Sequence, residues 1–139
     1  MSRDIIERYF AAFNAGDADG MLALVSDDVA HHVNQGDVRH GRAAFAEFCG
    51  HMGVSYREEL RDMVIFVNDD GTRAAAEFTV HGEYLQTDPG LPEARGQRYV
   101  LPAGSFFALK DGKITRVTTY YNLQAWIAQV AAGPCGSSP

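Results

Sequence analysis

Residues 97–122 read QRYVLPAGSFFALKDGKITRVTTYYN, and the fold turns on this stretch. Asp111-Gly112 sits between two long runs rich in β-branched and aromatic residues. A DG pair in that setting signals a hairpin, because both central residues of the tight turn need positive φ. The first arm, Arg98 to Leu109, is apolar on both faces for much of its length. The second, Ile114 to Tyr121, alternates, with Thr115, Val117, Thr119 and Tyr121 on one side and Ile114, Arg116, Thr118 and Tyr120 on the other. Together they predict a sheet wall about ten residues long, which is long for a small domain.

Working back from that wall, Tyr56–Val67 and Thr72–Leu85 read as a second strand pair around Asn68-Asp69-Asp70-Gly71. In the return strand Ala76, Phe78, Val80, Gly82 and Tyr84 alternate with Glu77, Thr79, His81 and Glu83. One face is therefore buried and the other carries a polar row, read as solvated or as an interface. Glu77 and His81 in that row lie about 13 Å apart along a strand, too far to act as a pair. Residues 87–96 hold two prolines and two glycines and read as a loop.

Helical spacing dominates the first third of the chain. Ile5, Ile6, Tyr9, Phe10 and Phe13 share one face of a helix over Asp4–Asn14, which Gly16 ends. Asp17 or Asp19 opens a short second helix with Met21, Leu22, Leu24 and Val25 inward. Val29–Gln35 is extended, Gly36–Gly41 is a loop, and Arg42–Met52 is a third helix with Phe45, Phe48 and Cys49 on its apolar side. Leu123–Val130 is a short closing helix bearing Trp126. The expected architecture is α+β: three N-terminal helices packed on a strongly curved antiparallel sheet, with a short C-terminal helix. One domain spans residues 1–130, and the Gly/Pro/Ser stretch 131–139 is a flexible tail. A curled sheet closed by helices leaves a hollow cone, the natural place for a small molecule.

Composition narrows the partners. The chain has 139 residues, 46% hydrophobic and 22% charged, with a net charge of −6. An acidic chain lacks the basic face that nucleic acid demands, so no nucleic-acid partner is expected. No apolar run approaches the ~18 residues needed to span a bilayer, so no membrane partner is expected either. The opening Met1-Ser2-Arg3-Asp4 runs straight into an amphipathic helix, and a cytoplasmic location is expected. Cys49 and Cys135 are read as free thiols, with one long-range disulfide as the alternative, and two cysteines without clustered histidines give no zinc spacing. Neither a metal nor a cofactor is expected.

Several motifs resemble one known group. Arg8-Tyr9-Phe10-Ala11-Ala12-Phe13-Asn14-Ala15-Gly16-Asp17 and Leu24-Val25-Ser26-Asp27-Asp28 resemble the opening of ketosteroid isomerases. Ala74–Val80 and Asp111-Gly112-Lys113-Ile114 continue the likeness, which covers roughly residues 4 to 127. The chain resembles the NTF2-like superfamily, in its SnoaL-like and ketosteroid isomerase-related branch. That resemblance implies an NTF2-like cone, proton transfer next to a carbonyl in an apolar pocket, and a homodimer formed through the sheet face. It also implies that Tyr9 matches the helix-one tyrosine that donates to a developing enolate oxygen. The family's aspartate base falls on Val33, or with a one-residue slip on His32 or Asn34. Its second oxyanion donor falls on Ser105 or Gly104. Two of three catalytic positions thus depart, and strict steroid isomerisation is not expected.

The residues suggest how such chemistry would be replaced. In the run His31-His32-Val33-Asn34, alternate side chains point to opposite faces, so one histidine faces the cone and the other does not. A histidine can serve as a general base near neutral pH. The catalytic candidates are therefore Tyr9, His31, His32, Asn34 and Ser105. Phe78, Val80, Tyr84, Tyr99, Phe107, Thr119, Tyr121 and Trp126 are the candidate lining for a small apolar or ring-containing ligand. Three functions stay open: an isomerase, cyclase or dehydratase that moves a proton beside a carbonyl, a module that binds an apolar ligand without turning it over, and a dimerisation or scaffold domain whose interior Phe78, Tyr99, Phe107 and Tyr121 would fill.

Overall fold

A computed structural model describes residues 2–34 and 36–136, with the backbone alone for 132–136. Gln35 and the Cys135 thiol, both named above, fall outside the described residues. The chain forms α1 (Ser2–Ala15), α2 (Ala18–Leu22), β1 (Val25–Val33), β2 (Arg39–His40), α3 (Arg42–Ser55), β3 (Tyr56–Val67), β4 (Arg73–Tyr84), β5 (Arg98–Lys110), β6 (Lys113–Tyr121) and α4 (Leu123–Gly136). The six strands make one sheet in the order β2-β1-β6-β5-β4-β3. Neighbours run antiparallel except β1 and β6, which are parallel.

The hairpin is where the sequence puts it. Lys110 faces Lys113 across Asp111 and Gly112, whose φ values are +52° and +77°. Elsewhere two readings change. The stretch after α2 is a full strand that starts at Val25, so Val25 is a buried strand residue rather than a helical one. The supposed loop 36–41 contains the short edge strand β2. The first arm of the hairpin is apolar on both faces, as expected, but burial alternates: Tyr99, Leu101, Ser105, Phe107 and Leu109 point inward while Val100 and Phe106 point out.

Bulges account for the remaining difference in pattern. Leu109 pairs with Ile114 and Ala108 with Arg116, so Thr115 is the extra residue. That shift puts Ile114 and Val117, expected on opposite faces, together in the core. A second irregularity lies between Arg61 and Val64 in β3, where Asp62 takes a positive φ of 57°. On the outer face this leaves Val64, Phe66, Val100, Phe106 and Tyr120 exposed beside Glu77. The polar row of β4 thus stands beside exposed apolar side chains of the neighbouring strands.

On the inner side α1 lays Ile5, Ile6, Tyr9 and Phe10 against the sheet. The Tyr9 and Phe10 rings meet Phe107 edge-on at 5.6 and 5.7 Å between centroids. Closely packed aromatic edges of this kind fix the helix over one end of the sheet.

The open edges are closed by amide side chains. On the free side of β3, Asn14 Oδ1 accepts from Leu60 N at 2.9 Å and Asn14 Nδ2 donates to Leu60 O at 3.1 Å. Asn14 thereby imitates a strand residue at the end of α1. β6 stops at Tyr121 opposite Ala103, so β5 loses that neighbour from Pro102 back to Arg98. Pro102 is tolerated there because no partner needs its missing N–H. Two residues on, Gln129 of α4 donates to Val100 O and accepts from Val100 N, both at 2.9 Å. Helix α4 itself runs six residues past the expected end at Val130. The Val130 carbonyl, whose helical partner would be the N–H that Pro134 lacks, accepts from the buried Gln97 Nε2 at 3.1 Å.

Replacing Asn14 by Ala leaves both Leu60 backbone groups without their partner. The expected cost is about 1–2 kcal/mol, read as a lower urea midpoint with unchanged slope.

Candidate active site

The concave face of the sheet, α1 and α3 enclose a cavity of about 740 Å³. A volume of that size suits a small organic ligand. Of the expected lining residues, Phe78, Val80, Tyr99, Thr119, Tyr121 and Trp126 face it. Tyr84 and Phe107 do not. Phe107 is fully buried behind Tyr9 and Phe10. Tyr84 is spent on structure: its hydroxyl donates to Pro92 O at 2.6 Å and accepts from Asp88 N at 2.9 Å, pinning the 87–96 loop.

The catalytic candidates divide in the same way. Tyr9, His31 and Ser105 line the cavity, whereas His32 and Asn34 do not. Strand alternation on β1 turns His31 inward and His32 away, which resolves the choice between them. Asn34 ends the strand instead: at a φ of +49° its Oδ1 accepts from Tyr121 N at 2.8 Å. Ser105 and Thr119 face each other across β5 and β6, and their hydroxyls share a 2.8 Å hydrogen bond.

Tyr9 and His31 both pack on Phe45, with ring centroids 6.5 and 5.0 Å from it. Phe48 closes the other side of His31 at 4.5 Å. Among the described residues the Tyr9 hydroxyl has no hydrogen-bond partner, and burial raises its pKa so that it remains a proton donor. His31 is 4% exposed, with its Nδ1 unpartnered. Burial, then the Arg39 guanidinium, then His32 lower its pKa to about 4. At neutral pH this imidazole is uncharged and free to accept a proton. Burial likewise raises the pKa of the Cys49 thiol beside Tyr9, which keeps it a thiol.

A second polar group was not anticipated. Glu58 of β3 faces the cavity and accepts from Tyr99 Oη at 2.5 Å. The row runs Glu58, Gly82, Tyr99 across β3, β4 and β5. The Tyr99 ring crosses directly over Gly82, where an added Cβ would lie 2.3 Å from Tyr99 Cζ. Burial raises the Glu58 pKa, against the opposing bond from Tyr99. Nearby, Tyr56 Oη donates to Asp88 Oδ2 at 2.6 Å, and His51 Nε2 meets the same oxygen at 3.1 Å. Burial, then Glu58 and Asp88, raise the pKa of the Tyr121 phenol. The sequence did hold a sign of Glu58: it sits between Tyr56 and Leu60 on the inward alternation of its strand. Asp88 sits on a loop and left none. Among the described residues no three His, Cys, Asp or Glu side chains converge as metal ligands would.

Comparison with known proteins fits this geometry. The family model described as SnoaL-like domain matches residues 6–117. A candidate polyketide cyclase from Silicibacter sp. TM1040 is 68% identical, with 93% of this chain and 94% of that one covered and a TM-score of 0.91. One from Xanthomonas campestris pv. campestris is 59% identical, with 93% and 96% covered and a TM-score of 0.90. An NTF2-like protein from Burkholderia xenovorans LB400 shares the fold at 16% identity and a TM-score of 0.74, with 92% and 94% covered.

The shift at His31 makes a stability prediction. The unfolded chain takes up its histidine proton near pH 6.5 and the folded one only near pH 4. The unfolded state therefore binds more protons in that window, and acidification favours unfolding. The contribution is nil above about pH 7 and grows to at most about 3 kcal/mol by pH 4. His31→Phe should remove that part of the pH slope in urea denaturation series taken from pH 7 to 4.5.

Proposed function

The chain belongs to the SnoaL-like domain family, and from that premise we propose that it is an enzyme that moves a proton next to a carbonyl of a small apolar substrate. The family's NTF2-like fold is of the small-molecule cyclase and isomerase type. The observation that carries the proposal is that an unpartnered phenol and an uncharged buried imidazole pack on the same ring, Phe45, and line the same cavity.

The roles follow from those states. His31 takes the proton from the carbon beside the carbonyl, and the C–H electron pair moves into the new C=C bond. The carbonyl π pair moves to oxygen, where the Tyr9 O–H hydrogen bond stabilises the developing charge. The low pKa of His31 in the empty cavity is offset during reaction, because an oxyanion forming nearby favours the imidazolium. Returning the proton to another carbon gives an isomerase. Attack of the enolate carbon on a second carbonyl of the same molecule gives a cyclase. The polyketide cyclase descriptions of the similar proteins make a poly-β-carbonyl compound the favoured substrate class. Ser105 and Thr119 act here as wall donors, already bonded to each other and available to turn toward a ligand oxygen.

We infer too that two copies pair through the outer sheet face, on the strength of its exposed Phe66, Phe106 and Tyr120. Phe106→Arg should convert a dimer to a monomer in light scattering after gel filtration. A wild-type monomer at tens of micromolar would sink this part of the reading.

Proton abstraction can be measured without knowing the substrate. 2-Tetralone in D₂O should exchange its α-protons faster with the protein than without it, followed by NMR. Tyr9→Phe should cut the catalysed rate about 10²–10³-fold, and His31→Gln by a similar factor. Equal exchange in both variants and wild type would leave ligand binding without turnover as the better account.

A further inference from the structure

The cavity contains a carboxyl group that the mechanism above does not use. Glu58 sits on β3, on the same inner surface as Tyr99 and within the same cavity as Tyr9 and His31. Its Oε2 is held by the Tyr99 phenol, while Oε1 has no partner among the described residues. The arrangement is costly to build. Tyr99 reaches a strand two places away only because Gly82, in the strand between, offers no side chain. Around it stand Tyr121, Trp126 and the Tyr56–Asp88–His51 cluster. An acid enclosed by aromatic rings keeps its proton to higher pH than a solvated one.

We propose that Glu58 is a second proton-transfer group of this site, oriented by Tyr99, which serves a second oxygen of the ligand at the end of the cavity away from Phe45. The proposal rests on the reading of Tyr9 and His31 as the first pair. It adds a substrate class: a molecule with two carbonyl oxygens set apart on one apolar frame. The step is a proton exchange. As the enolate carbon bonds to the second carbonyl carbon, that carbonyl's π pair moves onto its oxygen, which takes the Glu58 proton, and the carboxylate left behind is reprotonated by water or by the imidazolium. Tyr99 is a positioning residue, since it acts through Glu58.

Two ketones test this. 2-Tetralone offers one carbonyl, and 6-acetyl-2-tetralone adds a second at the far end of the same rings. The wild-type protein at pH 6 should bind the diketone roughly tenfold more tightly, the worth of one hydrogen bond. That preference should fade as pH rises and Glu58 ionises, because a carboxylate repels a carbonyl oxygen. Glu58→Gln keeps a donor and should keep the preference while losing its pH dependence. Glu58→Ala should lose the preference. Tyr99→Phe leaves the ring over Gly82 and removes only the bond, so it should shrink the preference and weaken its pH dependence. Carboxyl ¹³C NMR supplies a readout free of ligand: the signal missing in Glu58→Gln should titrate above the other glutamates. Equal affinity for the two ketones in wild type, a preference that survives in Glu58→Ala, or an ordinary Glu58 titration would overturn the proposal. Those results would leave the Tyr9–His31 reading intact. Failure of the wild-type protein to bind either ketone would overturn both.

Discussion

An open, curved sheet leaves backbone N–H and C=O groups along its edges with no strand to meet them, and this structure depends on how they are satisfied. Buried or half-buried amide groups left unpaired cost about as much as a hydrogen bond each. Here three side-chain amides substitute for missing strands. Asn14 covers β3 at Leu60, Asn34 covers β6 at Tyr121, and Gln129 covers β5 at Val100. Each comes from an element that must in any case be held in place: the end of α1, the end of β1 and the body of α4. The same bonds that finish the sheet therefore fix the helices around the hollow. A cavity survives because the helices are tied to strand edges as well as to the core.

The hollow in turn determines which protonation states are available. Burial drives four of the titratable groups that line it toward their neutral forms. Tyr9 keeps its proton, His31 sheds one, Cys49 remains a thiol and Glu58 resists ionisation. Tyr9 and His31 then offer a donor and an acceptor that are not tied up by one another. A carbonyl compound entering such a space meets groups whose next proton step is in either direction.

Much of this was legible in the chain. The Asp111-Gly112 turn, the β3–β4 pair and the inward row Ala76, Phe78, Val80, Gly82, Tyr84 follow from period-two patterning and turn chemistry. The interior location of Tyr9 follows from helical spacing, and alternation required one of two adjacent histidines to face inward without saying which. Bulges were not legible: Thr115 and the Arg61–Val64 irregularity change face assignment without a local signature, since Asp62 at positive φ is not a glycine. Long-range pairing was also out of reach. Nothing in the neighbourhood of Val25–Val33 says that it lies parallel to β6, because that depends on contacts ninety or so residues away. Glu58 was overlooked because a charged residue within a charged strand, Arg57-Glu58-Glu59-Leu60-Arg61, reads as solvated unless its flanking residues are weighed.

Gly82 ties three distant positions into one hereditary unit. A larger residue there would collide with the Tyr99 ring, and a different residue at 99 would strand the acid at 58. Drift at any one of the three is thus neutral only if the others move in step. A lineage that exchanged them together could line this half of the chamber with quite different chemistry while leaving the scaffold untouched.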